Sequence, residues 1–433
     1  MSSALLDELR QRELIFQIAG EEHISAWLDG GVRTLYCGFD PTADSLHIGS
    51  LVPLLMLRRF QLSGHRPIAL VGGATGLIGD PSFKAQERQL NTSAIVEEWV
   101  AKLRAQVSRF IDFDAGDRSA LVVDNLEWTR DLDVLTFLRD IGKHFSINAM
   151  VQKESVRQRI DREGSGISYT EFSYMILQSF DFAELFHRYG CGLQIGGSDQ
   201  WGNITGGIDL ARRLHGGQAY GLTMPLITKA DGGKFGKTEA GTIWLDPQRT
   251  SPYSFYQFWL SVADADVYRF LRYFTFLPVS DIEDIERADA ERGGRPEAQR
   301  VLATEVTRLV HGEEGLVAAQ RITETLFSGK GETLGEGDLE QLRQDGLPSS
   351  EFRPQELPET LTQWLSDSGL AGSGKQIKDA LQRAAIFVNG EAIGIEANAN
   401  PERIFAPEKA LYGRFFLVRL GKKKRHLFEL ARD

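Results

Sequence analysis

The chain has 433 residues, a formal net charge of −11, 42% hydrophobic residues and 25% charged ones. That length exceeds one ordinary core and predicts two or three domains, and no apolar run approaches the roughly 18 residues a membrane span needs. The acidic balance argues against blanket nucleic-acid binding, which rests on clustered Lys and Arg, and leaves only a local basic run, Lys422, Lys423, Lys424 and Arg425. The N-terminus has no basic-then-apolar export pattern. Two cysteines, Cys37 and Cys191, make neither a disulfide framework nor a metal-ligand cluster, so a reduced, cytoplasmic protein is expected.

Residues 1–30 read as a helical lead-in. A β-rich run at 34–39 ends in Asp40-Pro41, a turn signal. From 47 to 61 the apolar residues Leu51, Leu54, Leu55 and Leu57 recur at helical spacing, and Gly64 is the expected C-cap. Apolar strands are predicted at 67–71, 120–125 and 192–197, with helices at 94–110 and 172–189. Strands alternating with helices predict an α/β fold with a Rossmann-like parallel sheet, whose ligands sit beyond the carboxyl ends of the strands. After Thr250 the pattern is mostly helical to Phe327, and residues 328–352 are rich in Gly, Glu, Ser and Pro. The expected division is a catalytic domain at 1–250, an α-helical domain at 251–327, a linker at 328–352 and a small α+β domain at 353–433.

Two distant stretches carry the chemistry. One is Tyr36-Cys37-Gly38-Phe39-Asp40-Pro41-Thr42-Ala43-Asp44-Ser45-Leu46-His47-Ile48-Gly49-Ser50, where a strand meets a helix; the other is Lys234-Phe235-Gly236-Lys237-Thr238. A helix N-terminus offers N–H groups and a positive dipole end to phosphate. His47 and Thr42 add donors there, and Gly49 lets a purine lie against the backbone. Lys234, Lys237 and Thr238 suit a departing pyrophosphate, and Lys84 and Arg88 follow Asp80-Pro81-Ser82 within reach of the same phosphates. Alone, the first is an ordinary junction and the second an exposed loop; together, in this order, they point to one triphosphate site. A P-loop is excluded because Asp231 stands where its first glycine belongs and, at 369–375, Gln376 replaces the magnesium-binding Ser or Thr. Gly73, Gly76 and Gly79, three apart, are not a dinucleotide fingerprint.

The pair resembles the "HIGH" and "KMSKS" motifs of the class I aminoacyl-tRNA synthetases. Three further segments are similar to the bacterial tyrosyl branch of that family: Val71 to Ser82, Tyr174-Met175-Ile176-Leu177-Gln178, and Gln194 to Ile204 with Gly196-Gly197-Ser198-Asp199-Gln200. The likeness runs from about residue 5 to 430. It implies ATP as substrate with Mg2+ accompanying it, no structural metal, L-tyrosine activated to its adenylate, and transfer to the 3′ end of a tRNA by a homodimer. It implies that Tyr36 and Asp181 bind the substrate phenol, and that Asp80, Tyr174, Gln178 and Gln200 hold its ammonium and backbone. Cys37, Gly38, Asp40, Thr42, His47, Gly49, Gly197, Asp199 and Lys237 are implied at ATP, and Lys84, Arg88, Lys234, Lys237 and Thr238 with His47 at the reacting phosphates. Independently, Tyr174, Gln178 and Asp181 fall at i, i+4 and i+7 of one predicted helix face, which without the resemblance reads rather as a surface stripe. Departures are Ser50 for the second motif histidine and Phe83 for a glycine before Lys84. Tyrosyl enzymes reject phenylalanine roughly 10⁵-fold because buried polar groups go unpaired, a value belonging to those enzymes.

At the C-terminal end, residues 374–391 read as an amphipathic helix, a strand and an Asn-Gly turn. They resemble an RNA-binding domain first recognised in a small-subunit ribosomal protein. That implies a tRNA face formed by Lys375, Lys378, Arg383, Lys422, Lys423, Lys424 and Arg425. The competing readings are the tryptophanyl branch, opposed by Tyr36 with Asp181, and a non-catalytic RNA-binding paralogue, opposed by the intact lysine loop.

Overall fold

The computed structural model describes residues 4–80, 91–153, 156, 157, 160, 167–233, 235–238, 241–294, 296–328 and 334–431. The chain forms two compact units, Met1–Asp246 with Val262–Leu302, and Pro247–Ser261 with Ala303–Asp433. No described helix is long and apolar enough to cross a membrane.

The first unit holds a six-stranded sheet of β1 (Gln17–Ala19), β2 (Thr34–Phe39), β3 (Arg66–Val71), β4 (Leu121–Asp124), β5 (Cys191–Gly197) and β6 (Tyr220–Met224), in the order β1-β6-β5-β2-β3-β4. All pairs are parallel except β1 with β6 at one edge. The four strands expected from apolar runs are β2, β3, β4 and β5. β6 is buried along its whole length, but Gly221 and Thr223 interrupt its apolar pattern and hide it from the sequence. The chain leaves β2 toward β3 and β4, then returns to lay β5 on the opposite side. This reversal opens a crevice at the carboxyl ends of β2 and β5, the place where such sheets bind ligands.

The helix Tyr169–Tyr189 crosses that sheet. It starts where Ser168 Oγ accepts the Glu171 N–H at 3.2 Å and stops at Gly190 in the left-handed region, φ 61°. Its inner face joins Tyr36, Ile68, Leu70 and Val123 through Met175, Phe180 and Phe182 in one core. Gly207 in the neighbouring helix Trp201–His215 admits Phe182 so closely that a Cβ would lie 2.9 Å from that ring.

In the second unit a sheet of β9 (Ser349–Phe352), β10 (Ile386–Val388), β11 (Glu391–Ile393), β12 (Phe415–Leu420) and β13 (Lys424–Leu430) has the order β11-β10-β12-β13-β9. Asn389 and Gly390, with φ of 50° and 88°, make the tight turn between β10 and β11. β9 lies within the stretch expected as a linker. Its polar run Ser349-Ser350-Glu351 conceals a strand that pairs parallel with β13. The helices of 251–327 divide between the units: Asp264–Phe274 and Val279–Arg292 belong to the first, while Pro252–Leu260 sits in a core of the second with Ile322, Leu339, Phe415 and Leu427.

Two buried arginines brace the first unit. Arg12 donates to Glu8 at 2.7 Å and to the carbonyls of Arg272 and Leu277 at 3.2 and 2.7 Å. Arg59 donates to Glu8 at 3.4 Å and to the Thr275 carbonyl, and lies 4.6 Å from the Phe276 ring centroid. They thus place cations at the C-terminal end of the helix Asp264–Phe274. Burial, and then the Arg12 charge, push Arg59 down to about 9, with Glu8 opposing. Glu8 is the shared counter-ion, but its side chain is 43% exposed. Its removal should therefore cost less than breaking a buried pair. Glu8→Gln is expected to destabilise the protein by about 1 kcal/mol, below the roughly 3–5 kcal/mol of a fully buried pair; the urea midpoint should fall with no change in slope.

Candidate active site

The strand-to-helix junction and the lysine loop, distant in sequence, are joined through their backbones. Ile48 N–H donates to the Ile243 carbonyl at 3.0 Å, Leu245 N–H to Leu46 at 2.9 Å, and Ile243 N–H to Gly236 at 3.0 Å. His47 and Trp244 face each other in an antiparallel bridge. Lys237 and Thr238 form the short strand β7, paired with β8 (Gly241–Thr242). Gly236 has φ 77°, and a Cβ there would lie 2.5 Å from the Ile48 side chain, so this approach requires glycine. Phe235 fixes the other flank, its ring 5.0 and 5.4 Å from those of Phe270 and Phe274. Lys84, Arg88 and Lys234 lie outside the described residues.

At the junction, Gly49 N–H donates to His47 Nδ1 at 3.0 Å. Nδ1 is therefore the acceptor, and in the neutral ring Nε2 carries the proton, which is the donor a phosphate oxygen needs. Thr42 is exposed, its N–H donating to the Asp40 carbonyl at 2.9 Å. Across the crevice, Gly197 ends β5 and leads into Asp199 and Gln200. Burial pushes the Asp199 carboxyl upward, Gln200 counteracts, and Asp80 adds to the rise. Burial also pushes the Cys37 thiol up to about 12, with Asp199 contributing, so Cys37 is a neutral neighbour of that carboxylate.

The remaining predicted residues of this layer form two polar groups. Gln200 Nε2 donates to Asp80 at 2.9 Å and to Asp199 at 3.2 Å, and its Oε1 accepts from Gln178 at 3.2 Å. Asn203 donates to Gln178 and Gln200 at 2.9 and 3.1 Å. The Tyr174 hydroxyl donates to Asp40 at 2.7 Å. Asp40, placed with the nucleotide residues by resemblance, is thus bonded to a member of the ammonium group.

Deeper in, Asp181 is 2% exposed and accepts from Trp128 Nε1 and Asn125 Nδ2, both at 2.9 Å. Among the described residues the buried Tyr36 hydroxyl has no hydrogen-bond partner, and burial followed by the Asp181 charge raises its pKa. A buried phenol without a partner beside a buried carboxylate is a site shaped for another polar group. Thr75, Asn125 and Trp128 were not singled out from sequence; the only signal was that Thr75 follows the glycine pair after β3 and Asn125 follows β4. Among the described residues, no three His, Cys, Asp or Glu side chains form a group that could hold a metal ion.

On the second unit, Lys375 and Lys378 are exposed on the helix Gly374–Gln382, while Arg383, expected inside that helix, is its exposed C-cap. Lys422, Lys423 and Lys424 are exposed where β12 turns into β13. Arg425 is not part of that outward group: its guanidinium donates to the Leu326 carbonyl.

A parallel sheet whose strand order reverses beside a helix start, with the loop after β6 bridged to that start, is an α/β architecture with its crevice at the carboxyl ends of the strands. A family model, tRNA synthetases class I (W and Y), matches residues 30–328, and one for the tyrosine–tRNA ligase SYY-like C-terminal domain matches 338–428. Tyrosine–tRNA ligases of Aliivibrio fischeri (strain MJ11) and Escherichia coli O8 (strain IAI1) are each 59% identical to the chain, covering 99% and 98% of both sequences. The crystal structure of a C-terminally truncated Aspergillus nidulans mitochondrial tyrosyl-tRNA synthetase superposes with TM-score 0.67 at 28% identity, over 75% of this chain and 94% of that one. The chain belongs to the class I tRNA synthetases, in the tyrosine–tRNA ligase family.

Asp181 gives the site its pH dependence. Burial pushes its carboxyl up to about 7 against the lowering bonds from Asn125 and Trp128. Because this lies above the 3.8 of an ordinary aspartate, its contribution to stability is full below that value and is lost as pH rises through 7. Trp128→Phe removes one donor and should move the titration further upward. Carbon-13 NMR of labelled aspartate measures the midpoint; an unchanged or lowered value would refute this account.

Proposed function

We propose that the protein is a tyrosine–tRNA ligase that activates L-tyrosine with ATP and then esterifies the terminal ribose of its tRNA. The observation that supports the reading is the backbone pairing of Leu46–Ile48 with Ile243–Leu245, next to the strand pair that holds Lys237. In the first step the substrate carboxylate attacks the α-phosphorus, the bond to the β-phosphate oxygen breaks, and pyrophosphate leaves. In the second, a ribose hydroxyl attacks the adenylate carbonyl and AMP leaves. No protein nucleophile is needed, so positioning and charge supply the catalysis.

In this reading Tyr36 and Asp181 receive the phenol, and Asp80, Tyr174, Gln178 and Gln200, joined by Asp40, hold the ammonium. Cys37, Gly38, Thr42, His47, Gly49, Gly197 and Asp199 line the nucleotide, and Lys84, Arg88, Lys234, Lys237 and Thr238 neutralise the pyrophosphate. Magnesium enters with the nucleotide as its counter-ion. The second unit grips tRNA through Lys375, Lys378, Arg383, Lys422, Lys423 and Lys424. A homodimer is supported by the exposed apolar residues Val134, Leu135, Leu138 and Ile147, and a cytoplasmic location is part of the same reading, supported by the similarity to bacterial ligases.

Pyrophosphate exchange into ATP tests the reading: it should depend on tyrosine, and exchange with tryptophan alone, or with no amino acid, would sink it. Lys237→Ala should slow adenylate formation about 100-fold, the scale of losing one charge-stabilising donor, with tyrosine affinity little changed. A variant activating at the normal rate would contradict the assigned role. Replacing Lys375, Lys378, Lys422 and Lys423 together by alanine should leave exchange intact, raise the KM for tRNA and flatten the salt dependence of charging. Charging with unaltered salt dependence would remove the tRNA face from those residues.

A further inference from the structure

The Tyr174–Asp40 pair and the buried Asp181 are connected by two buried side chains that no substrate role accounts for. Asn125 is 1% exposed and Thr75 is 3% exposed. Ala74 N–H donates to Asn125 Oδ1 at 2.7 Å, which fixes the amide orientation and leaves Nδ2 as the donor on the other side. Nδ2 donates to Asp181 Oδ2 at 2.9 Å and to Thr75 Oγ1 at 3.0 Å. With its oxygen accepting, the Thr75 hydroxyl sends its single proton to Asp40 Oδ1 at 2.6 Å, and Tyr174 occupies Asp40 Oδ2. Every donor in this path has one direction, so it admits a single arrangement.

Resting on the ligase reading, we propose that Thr75 and Asn125 are positioning residues that tie the carboxylate facing the substrate hydroxyl to the carboxylate beside its reacting end. When a phenol donates to Asp181, the carboxylate settles against Asn125. Asn125 in turn holds Thr75, and Thr75 holds Asp40 against Tyr174. Recognition of the hydroxyl thereby orients the ammonium end for attack, and a substrate without the hydroxyl loses that orientation as well as its own hydrogen bond. Pocket fit and rate of activation are then selected together, which a site made of two independent ends cannot do.

The test compares tyrosine with phenylalanine in single-turnover adenylate formation by the full chain. Thr75→Val keeps the side-chain shape and removes the hydroxyl. It should lower kcat/KM for tyrosine about tenfold more than for phenylalanine, with the difference mainly in kcat. Thr75→Ala, which cannot crowd the pocket, should show the same differential, and Thr75→Ser should restore the native ratio. Equal losses for both amino acids would mark Thr75 as a support for Asp40 alone and overturn the proposal, as would an unchanged ratio in either hydroxyl-free variant. If the native protein shows no tyrosine-dependent exchange, the ligase reading falls and this bridge with it; if the native protein exchanges and the ratio does not move, only the bridge is removed.

Discussion

The phosphate end of the proposed site depends on two backbone hydrogen bonds between Leu46–Ile48 and Ile243–Leu245, and on one that ties Ile243 to Gly236. Each contributes only about 1 kcal/mol net. Their weight lies in geometry, since they bring a loop that follows β6 back to the helix start that follows β2. Gly236 is the contact that cannot be exchanged, because Ile48 fills the space a side chain would need. Phe235 supports this from behind by packing on Phe270 and Phe274, so the loop is anchored on both flanks of the glycine. The replacement of the general motif's methionine by phenylalanine thus acquires a structural reason: an aromatic ring anchors against two others better than a flexible thioether.

The second constraint is electrostatic. The crevice gathers Asp40, Asp80, Asp181 and Asp199, and burial works against the charge of Asp181 and Asp199. The donors that hold those two are neutral: Asn125 and Trp128 for one, Gln200 for the other. Neutral donors orient a carboxylate without cancelling its charge. Under the proposed function, the site thereby offers carboxylates to an ammonium and to a hydroxyl, at a cost in stability that rises with pH. Arg12 and Arg59 show the opposite solution in the same unit, where buried charge meets carbonyls and a carboxylate and serves the fold alone.

The sequence displayed those parts whose signal is local. β2, β3 and β5 stand out because central parallel strands are apolar runs, and β4, at the sheet edge, stands out through Leu121-Val122-Val123. Tyr174, Gln178 and Asp181 share a helix face by spacing, and the structure puts Tyr174 and Asp181 inside, against the alternative of a surface stripe. What stayed hidden gains meaning only from neighbours far along the chain. Asn125 is one polar residue after a strand until Asp181 and Thr75 arrive on either side of it. β9 is a polar tripeptide and a phenylalanine until β13 offers it a partner. Arg425 belongs to a basic run by sequence, yet a carbonyl of Leu326 draws it away from the lysines beside it.

That turning-in of Arg425 bears on how an acidic protein can bind RNA at all. Each phosphate contact adds affinity by releasing counter-ions whatever the sequence, so a broad basic surface holds any RNA. Here the residues proposed for the tRNA face, Lys375, Lys378 and Arg383 around one short helix and Lys422, Lys423 and Lys424 at one turn, share the exposed surface of the second unit with Arg343, Arg353, Arg403 and Lys409. With a chain charge of −11 around them, these few contacts are too weak to retain RNA at random. They become useful when a partner of fixed shape engages several at once, because each further contact is then made within an existing complex. Under the proposed function, the sparse basic patch and the acidic bulk together favour a folded tRNA over unstructured RNA, and shape supplies the selectivity that charge alone would not.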